Sequence, residues 1–334
     1  MNQSSGPTDP RPSNPGPSNP GPADRSADDF GSDNFGLDDF GLDDSCHRVW
    51  VGEGTPVHLG ISTCPNDTFA FAALLEGRVD TRGMRWQIDL LDIEQLNRRL
   101  LRGDFNVAKT SFHTALELAP QTVVLPVGAA LGFGVGPLLL AARPETVPRD
   151  ASQLTLCPGA HTTAALLFDF FYPQTTRVEQ RLFSEIMPQL VEGAADFGVC
   201  IHEGRFTYAR SGLSCIDDLG QRWEQATGSP LPLGGLVMRK STAADQASRI
   251  LRAIDDSLAA AHADRDAALP TMRQYAAELE DDVLMQHVDL YVNEWTTDLG
   301  GAGQAALKTW SDRAIATGRF NSASTLKVLD RSQL

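Results

Sequence analysis

GGLVMRK, residues 234–240, is the stretch on which the fold turns. It is a short apolar run with the length of a strand. Before it, from residue 55 to 228, the chain reads as strands alternating with helices. After it, from about 242 to 318, the chain reads as helix: ASRILRAIDDSLAAAHA, then DDVLMQHVDLYVNEW, then AGQAALKTWSDRAIATG. A lone strand between two such regions has two uses. It either carries the chain back to the first sheet, giving two lobes with a double crossing, or extends a single continuous sheet.

The elements upstream have local signals. VHLGIST (57–63) reads as a buried strand, and Asn66 or Asp67 of the following CPND is placed to cap the helix TFAFAALLEG, which Gly77 closes. MRWQIDLL (84–91) is the next strand. Asp92, with Gln95 three residues on, predicts a capping box for IEQLNRRLLRG, which ends at Gly103. FNVAKTS (105–111) runs into the helix-like FHTALELA. TVVLPVG, the glycine-rich AALGFGVG and PLLLAAR complete this part. PETVPRDASQ (144–153) reads as a linker, after which the pattern restarts with LTLCPG, HTTAALLFDFF, RVEQRLF, EIMPQLVEG, ADFGVCI (195–201) and the amphipathic DDLGQRWEQATG (217–228). This alternation predicts an α/β fold with largely parallel sheets. On the double-crossing reading, the expected domains are a tail over 1–54, one lobe from 55–146 plus 236–334, and a second lobe over 147–235. A ligand then belongs in the cleft between lobes, at strand ends and helix N-termini.

Composition separates the tail from the rest. Residues 12–22 repeat PSNPGPSNPGP, and 28–44 interleave Phe and Leu with aspartates. Such a segment buries too little surface to offset its ordering entropy and is expected to be disordered. It holds nine Asp and two Arg within residues 1–45, a balance of −7 against −15 for the whole chain. The folded part is therefore only moderately acidic, and no basic face points to nucleic acid. No secretory start and no membrane-spanning apolar run is visible. Five scattered cysteines without a CxxC pair fit a reducing compartment, so a cytoplasmic protein is expected.

Several motifs bear on chemistry. The glycines of GAALGFGVGP (128–137) alternate and lead into a strand, so they read as a turn allowing close backbone approach rather than a dinucleotide fingerprint. In CPGAHTTAALL, Thr162 and Thr163 stand where a helix begins. They either surround free N–H groups suited to a carboxylate or phosphate, or one of them simply caps the helix. AKTSFH offers Lys109, Thr110 and Ser111 in the same way. In CIHEGRFTY (200–208), the pair His202–Glu203 suggests a zincin, but the HExxH pattern needs histidine at 206 and Phe206 stands there, so no metal is expected. A histidine titrates near about 6.5 and can serve as a base. A lone histidine is also commonly a surface or satisfied residue, so the local sequence permits that role for His202 without assigning it. Cys200, in the strand, is expected to be buried and inert; Cys64, at a helix start, is a candidate ligand-lining thiol.

Taken in order, CPNDTFAF, DIEQLN, KTSFH, GAALGFGVGPLLL, PGAHTTA, IHEGRFTY and DLGQRWEQATGSPLPLGGL resemble the 1,4-dihydroxy-6-naphthoate synthases of the futalosine route to menaquinone. The resemblance spans roughly 57–320. It implies a two-lobe fold like that of the periplasmic binding proteins (type II), and a cofactor-free lyase. Such enzymes convert cyclic dehypoxanthine futalosine to 1,4-dihydroxy-6-naphthoate and release dihydroxyacetone. It further implies His202 as the base, and Lys109, Thr110, Ser111, Thr162 and Thr163 as substrate contacts. Phe133 and Ala160 stand where the family commonly has basic residues, which removes two positive charges expected near the cleft. A non-catalytic binder of small carboxylates with the same fold is the competing expectation.

Overall fold

A computed structural model of the chain describes residues 46–202, 204–276 and 280–334; most of the proposed tail, and Glu203, lie outside the described residues. Its strands are β1 (His47–Val51), β2 (Thr55–Ser62), β3 (Met84–Leu91), β4 (Val107–Ser111), β5 (Thr122–Val124), β6 (Ala130–Gly132), β7 (Leu138–Ala141), β8 (Leu154–Cys157), β9 (Arg177–Gln180), β10 (Phe197–Cys200), β11 (Ser214–Asp218) and β12 (Leu231–Arg239). They form two sheets. The larger has the order β1-β3-β2-β4-β12-β5, with β6 also on β12; the smaller has the order β11-β7-β10-β8-β9.

GGLVMRK therefore returns the chain to the first sheet. β12 lies antiparallel between β4 and β5, with Gly234 opposite Ser111, Gly235 opposite Thr110 and Leu236 opposite Lys109. The glycine matters at 235, where an added Cβ would sit 2.8 Å from the Phe112 ring. Two independent sheets replace the continuous-sheet alternative, and the chain crosses between them twice.

Four expectations need correction. Both sheets are mixed rather than largely parallel, because β1 and β12 run against their neighbours in one and β7 and β11 do so in the other. PLLLAAR, expected in the first lobe, supplies β7 to the smaller sheet, where it pairs with β10 and β11. Likewise β12 begins at Leu231, ahead of the boundary expected at 236. The tail also ends sooner than 54. Residues 47–51 form β1 on the edge of the larger sheet, held less by burial than by Arg48, whose guanidinium grips the fully buried Asp89 through bonds of 2.6 and 2.9 Å.

The helices follow their sequence signals closely. Asp92 and Gln95 form the capping box of the helix Ile93–Leu101, and Gly77 and Gly103 adopt the left-handed backbone just past helix ends. The first helix differs in its cap. It spans Pro65–Leu75 with Cys64 at the N-cap, because proline fits the first helical position, where no N–H is needed. Ten of its eleven residues are buried. Ser257 of the helix Ala244–Ala263 donates to the Ala70 carbonyl at 2.8 Å and accepts from Leu74 N–H at 3.1 Å, locking the two helices together. In the turn before β7, Gly136 packs against Gly220 so closely that an added Cβ would lie 2.2 Å from the Gly220 Cα, as the reading of a close backbone approach anticipates.

Candidate functional site

The ends of these elements converge on one cavity of about 90 Å³. β2 runs out at Ser62 and the first helix starts at Cys64; β4 contributes Lys109 and Ser111; the helix Thr163–Phe171 begins here; and β10 delivers His202 just beyond its last residue. Ile93, Val135, Ile201 and Leu233 give the cavity apolar stretches of wall. A mostly apolar pocket with a few convergent polar groups suits a small organic ligand.

Lys109 is almost fully buried, and its Nζ donates to Asp67 Oδ1 at 2.7 Å and to the Gly128 carbonyl at 2.9 Å. Asp67 is equally buried. Its Oδ2 accepts from Ser62 N–H at 3.2 Å and Ser62 Oγ–H at 2.8 Å, while Oδ1 also accepts from Asn66 Nδ2 at 2.9 Å. The expected ligand-binding lysine is thus first an ion-pair partner that fixes the start of a helix, and it adds its third donor to the cavity wall.

Thr110, between Lys109 and Ser111, is not among the residues lining the cavity. Strand residues alternate in direction, and its hydroxyl donates to Asn97 Oδ1 at 2.8 Å. Asn97, fully buried, also accepts from Ser111 N–H at 3.1 Å and donates to the His161 carbonyl at 3.1 Å. Ser111 Oγ caps its own helix through Thr114 N–H and donates to the same His161 carbonyl. These bonds bind the KTS segment to the beginning of the HTTA helix.

Thr162 and Thr163 both line the cavity. Thr162 is the N-cap, accepting from Ala165 N–H at 3.2 Å, and Thr163 Oγ donates to the Leu233 carbonyl on β12 at 2.6 Å. Their hydroxyls are therefore engaged, and the anion-attracting groups left to this helix are its first-turn N–H groups. The two readings of the motif are joined: Thr162 caps the helix and the helix start faces the cavity.

His202 has φ +55, a left-handed backbone that costs a non-glycine residue about 1–3 kcal/mol. Its ring lies 3.4 Å (Nε2) and 3.6 Å (Nδ1) from Cys64 Sγ and meets the edge of Phe183, with centroids 4.9 Å apart. Cys64 lines the cavity, and Cys200 is buried beneath it against Met187. Asp92 stands close enough to His202 to feel its charge; burial raises its pKa, against the helix N–H bonds and the imidazole that lower it. Arg205 faces elsewhere, donating to the Gly136 carbonyl and to Asp218 at 3.1 Å. Tyr208 packs against the core of the smaller sheet.

A second imidazole was not singled out by sequence. His287, on the helix Asp281–Tyr291, lines the same cavity 6.1 Å from the His202 ring. Its helix face, Val283, Leu284, His287, Val288 and Tyr291, is buried, so a histidine on an apolar helical stripe was the available signal. Burial, reinforced by His202 and Lys109, pushes its pKa well below the usual histidine range and keeps it neutral. Phe133 is 55% exposed and Ala160 is exposed as well, and neither lines the cavity. No group of His, Cys, Asp and Glu suited to a metal occurs among the described residues.

Residues 57–316 match the profile of a family described as menaquinone biosynthesis. Two curated 1,4-dihydroxy-6-naphthoate synthases are similar to this chain. The one from Streptomyces coelicolor is 37% identical over 267 residues, covering 78% of this chain and 94% of that protein. The one from Thermus thermophilus is 39% identical over 266 residues, covering 78% and 95%. A crystal structure of an Archaeoglobus fulgidus protein superposes with a TM-score of 0.75 at 30% identity, over 79% of this chain and 98% of that one. The periplasmic aliphatic sulphonate binding protein of Escherichia coli superposes at 0.55 with 11% identity, over 84% and 96%, a likeness of fold alone. Two sheets joined by a double crossing, with a cavity at their strand ends, are thus the two-lobe periplasmic-binding-protein-like fold, and the chain belongs to the menaquinone biosynthesis family.

Proposed function

We propose that this chain is a cytoplasmic lyase that converts cyclic dehypoxanthine futalosine to 1,4-dihydroxy-6-naphthoate and dihydroxyacetone, with His202 as the general base. The observation that carries the reading is the position of His202. It is held in a costly left-handed turn at the wall of an otherwise pre-bonded cavity, and strain of this kind collects at functional sites. Helix starts at Cys64 and Thr162, together with Lys109, favour the substrate carboxylate on the same wall. The apolar walls suit the aromatic ring system. His202 removes a proton from the substrate; ring opening and carbon–carbon cleavage follow, and aromatisation drives them. The donors around the cavity stabilise the charge that develops on oxygen, and closure of the two lobes excludes water. The scheme calls for no metal or redox cofactor.

The test is turnover by the purified full chain in the presence of a chelator, beside His202→Asn. Asparagine tolerates the left-handed backbone, so the variant keeps its fold. It is expected to bind the substrate and to lose on the order of 10²–10⁴ in rate. Full activity in the variant would remove His202 from the role. Tight binding by the parent chain without aromatic product would favour a non-catalytic carboxylate-binding protein instead.

A further inference from the structure

DIEQLN, residues 92–97, is a motif to which the proposed chemistry gives no role. Its helix, Ile93–Leu101, follows β3 of the larger sheet. Glu94 and Asn97 stand three residues apart and so share one helical face. Both are buried, and neither lines the cavity.

That face grips one residue of the other lobe, His161, by its backbone. His161 lies between β8 of the smaller sheet and the helix Thr163–Phe171. Glu94 Oε2 accepts from the His161 N–H at 3.2 Å, and Asn97 Nδ2 donates to the His161 carbonyl at 3.1 Å. The same carbonyl takes donors from Ser111 Oγ and, at 2.9 Å, from Thr114 Oγ1. The Asn97 amide has one workable orientation. The Ser111 N–H, 3.1 Å away, can only donate, so Oδ1 faces it and the NH₂ faces His161. The approach is close: Gly159 has φ +116, and an added Cβ there would lie 2.5 Å from Glu94 Oε2.

The gripped residue directly precedes the N-cap, Thr162. The first N–H groups of that helix have no partner within it, and Thr162, Thr163 and Ala164 all line the cavity, as Lys109 does from the KTS strand. An anion held jointly by a helix start and an ammonium group needs the two at a fixed separation. The His161 grip sets that separation, because Asn97 binds the KTS strand with its oxygen and the helix start with its nitrogen.

We propose that Glu94 and Asn97 are positioning residues for the substrate carboxylate: by holding the His161 peptide at both its N–H and its carbonyl, they aim the start of the helix Thr163–Phe171 at the anion that Lys109 attracts. The inference rests on the lyase reading for the identity of the ligand, and goes beyond it in assigning a role in binding to two residues that do not touch the ligand.

Glu94→Gln keeps an acceptor for the His161 N–H, whereas Glu94→Met keeps the bulk and loses the acceptor. Asn97→Asp keeps the acceptor for Thr110 and Ser111 and turns an oxygen on the His161 carbonyl. Steady-state turnover of cyclic dehypoxanthine futalosine is measured on the full chain. Beside it, equilibrium binding of that substrate and of its carboxamide analogue is measured in the His202→Asn background. Glu94→Met and Asn97→Asp are each expected to raise KM about tenfold with kcat held within about threefold, because a contact away from the reacting atoms serves ground and transition states alike. Their preference for the carboxylate over the carboxamide is expected to shrink about tenfold, the worth of one charge-assisted hydrogen bond. Glu94→Gln is expected to stay within a few-fold of the parent in both measurements. A grip that served the fold alone would lower kcat at constant KM and leave the carboxylate preference intact. That pattern, an equal loss in Glu94→Gln and Glu94→Met, or failure of both Glu94→Met and Asn97→Asp to fold overturns the assignment; if one of the two folds, it carries the comparison. Product formation by the parent with any overturning result leaves the lyase reading standing alone. The expected loss of preference without product from the parent leaves the positioning role standing alone. No binding by the parent overturns both.

Discussion

Asp67 and Lys109 line the same cavity as His202 but are held in the opposite way. The first pair is almost fully bonded. Both oxygens of Asp67 accept two bonds each, and Lys109 spends a donor on the Gly128 carbonyl as well. His202 has a sulfur and an aromatic edge for neighbours and a backbone in a strained region. The ion pair spends its polar groups on shape, and His202 is kept in place at an energetic cost. One chain thus separates the residues that build the site from the residue proposed to act in it.

The sharpest break of this contrast is to remove Lys109. Lys109→Met strands a buried carboxylate, and losing one partner of a buried pair costs about 3–5 kcal/mol. The denaturant midpoint is expected to fall accordingly, and a double variant with Asp67→Asn to recover part of the loss because no lone charge remains. His202→Asn is expected to leave the midpoint unchanged. If Lys109→Met folded as stably as the parent, the wall would not be a scaffold. A smaller effect tests the strand pair beneath the same wall. Gly235→Ala drives a Cβ to within 2.8 Å of the Phe112 ring and is expected to cost about 1–3 kcal/mol. Gly301→Ala, which meets nothing within 4 Å, serves as the control and is expected to be neutral or slightly stabilising.

The same contrast explains what could be read from sequence. Signals that act within a few residues were legible: the Asp92–Gln95 box and the glycines past helix ends. Choices of partner were not. The periodicity of Leu138–Ala141 says that it is a strand and nothing about which sheet it joins. β1 was hidden because it is a five-residue edge strand in which only Val49 and Val51 pack against the core, too short a pattern to stand out. Lys109, Ser111, Thr162, Thr163 and His202 do line one cavity, and it was the company of motifs, more than any one of them, that suggested as much. Thr110 was grouped with its neighbours although strand alternation separates them. His287 arrives from a distant helix on an apolar stripe, where its one unpaired nitrogen leaves no trace in the sequence.

The smallest effect lies where the KTS segment is tied to the start of the HTTA helix, and it depends on pH. His161, which precedes the HTTA helix start, bonds through Nδ1 to Glu117 at 3.2 Å, and its carbonyl takes donors from Asn97, Ser111 and Thr114. The Glu117 hydrogen bond raises the His161 pKa, assisted by the charges of Glu117 and Glu94 and opposed by burial and Arg98. A histidine whose folded pKa is raised stabilises the fold fully below its unfolded value, about 6.5, and the contribution fades as pH rises through the folded value. Nearby, His113 has its pKa lowered, chiefly by burial, so it works against stability as the medium becomes acidic and offsets part of the His161 contribution there. Because His161 is 30% exposed at the side chain, the pair is worth no more than about 1 kcal/mol. Glu117→Gln removes the carboxylate that raises His161. Its stability deficit against the parent is expected to be largest near pH 6 and to shrink as pH rises above 6.5. A deficit that stayed constant with pH would mean that Glu117 joins the two segments by packing, with the imidazole proton playing no part.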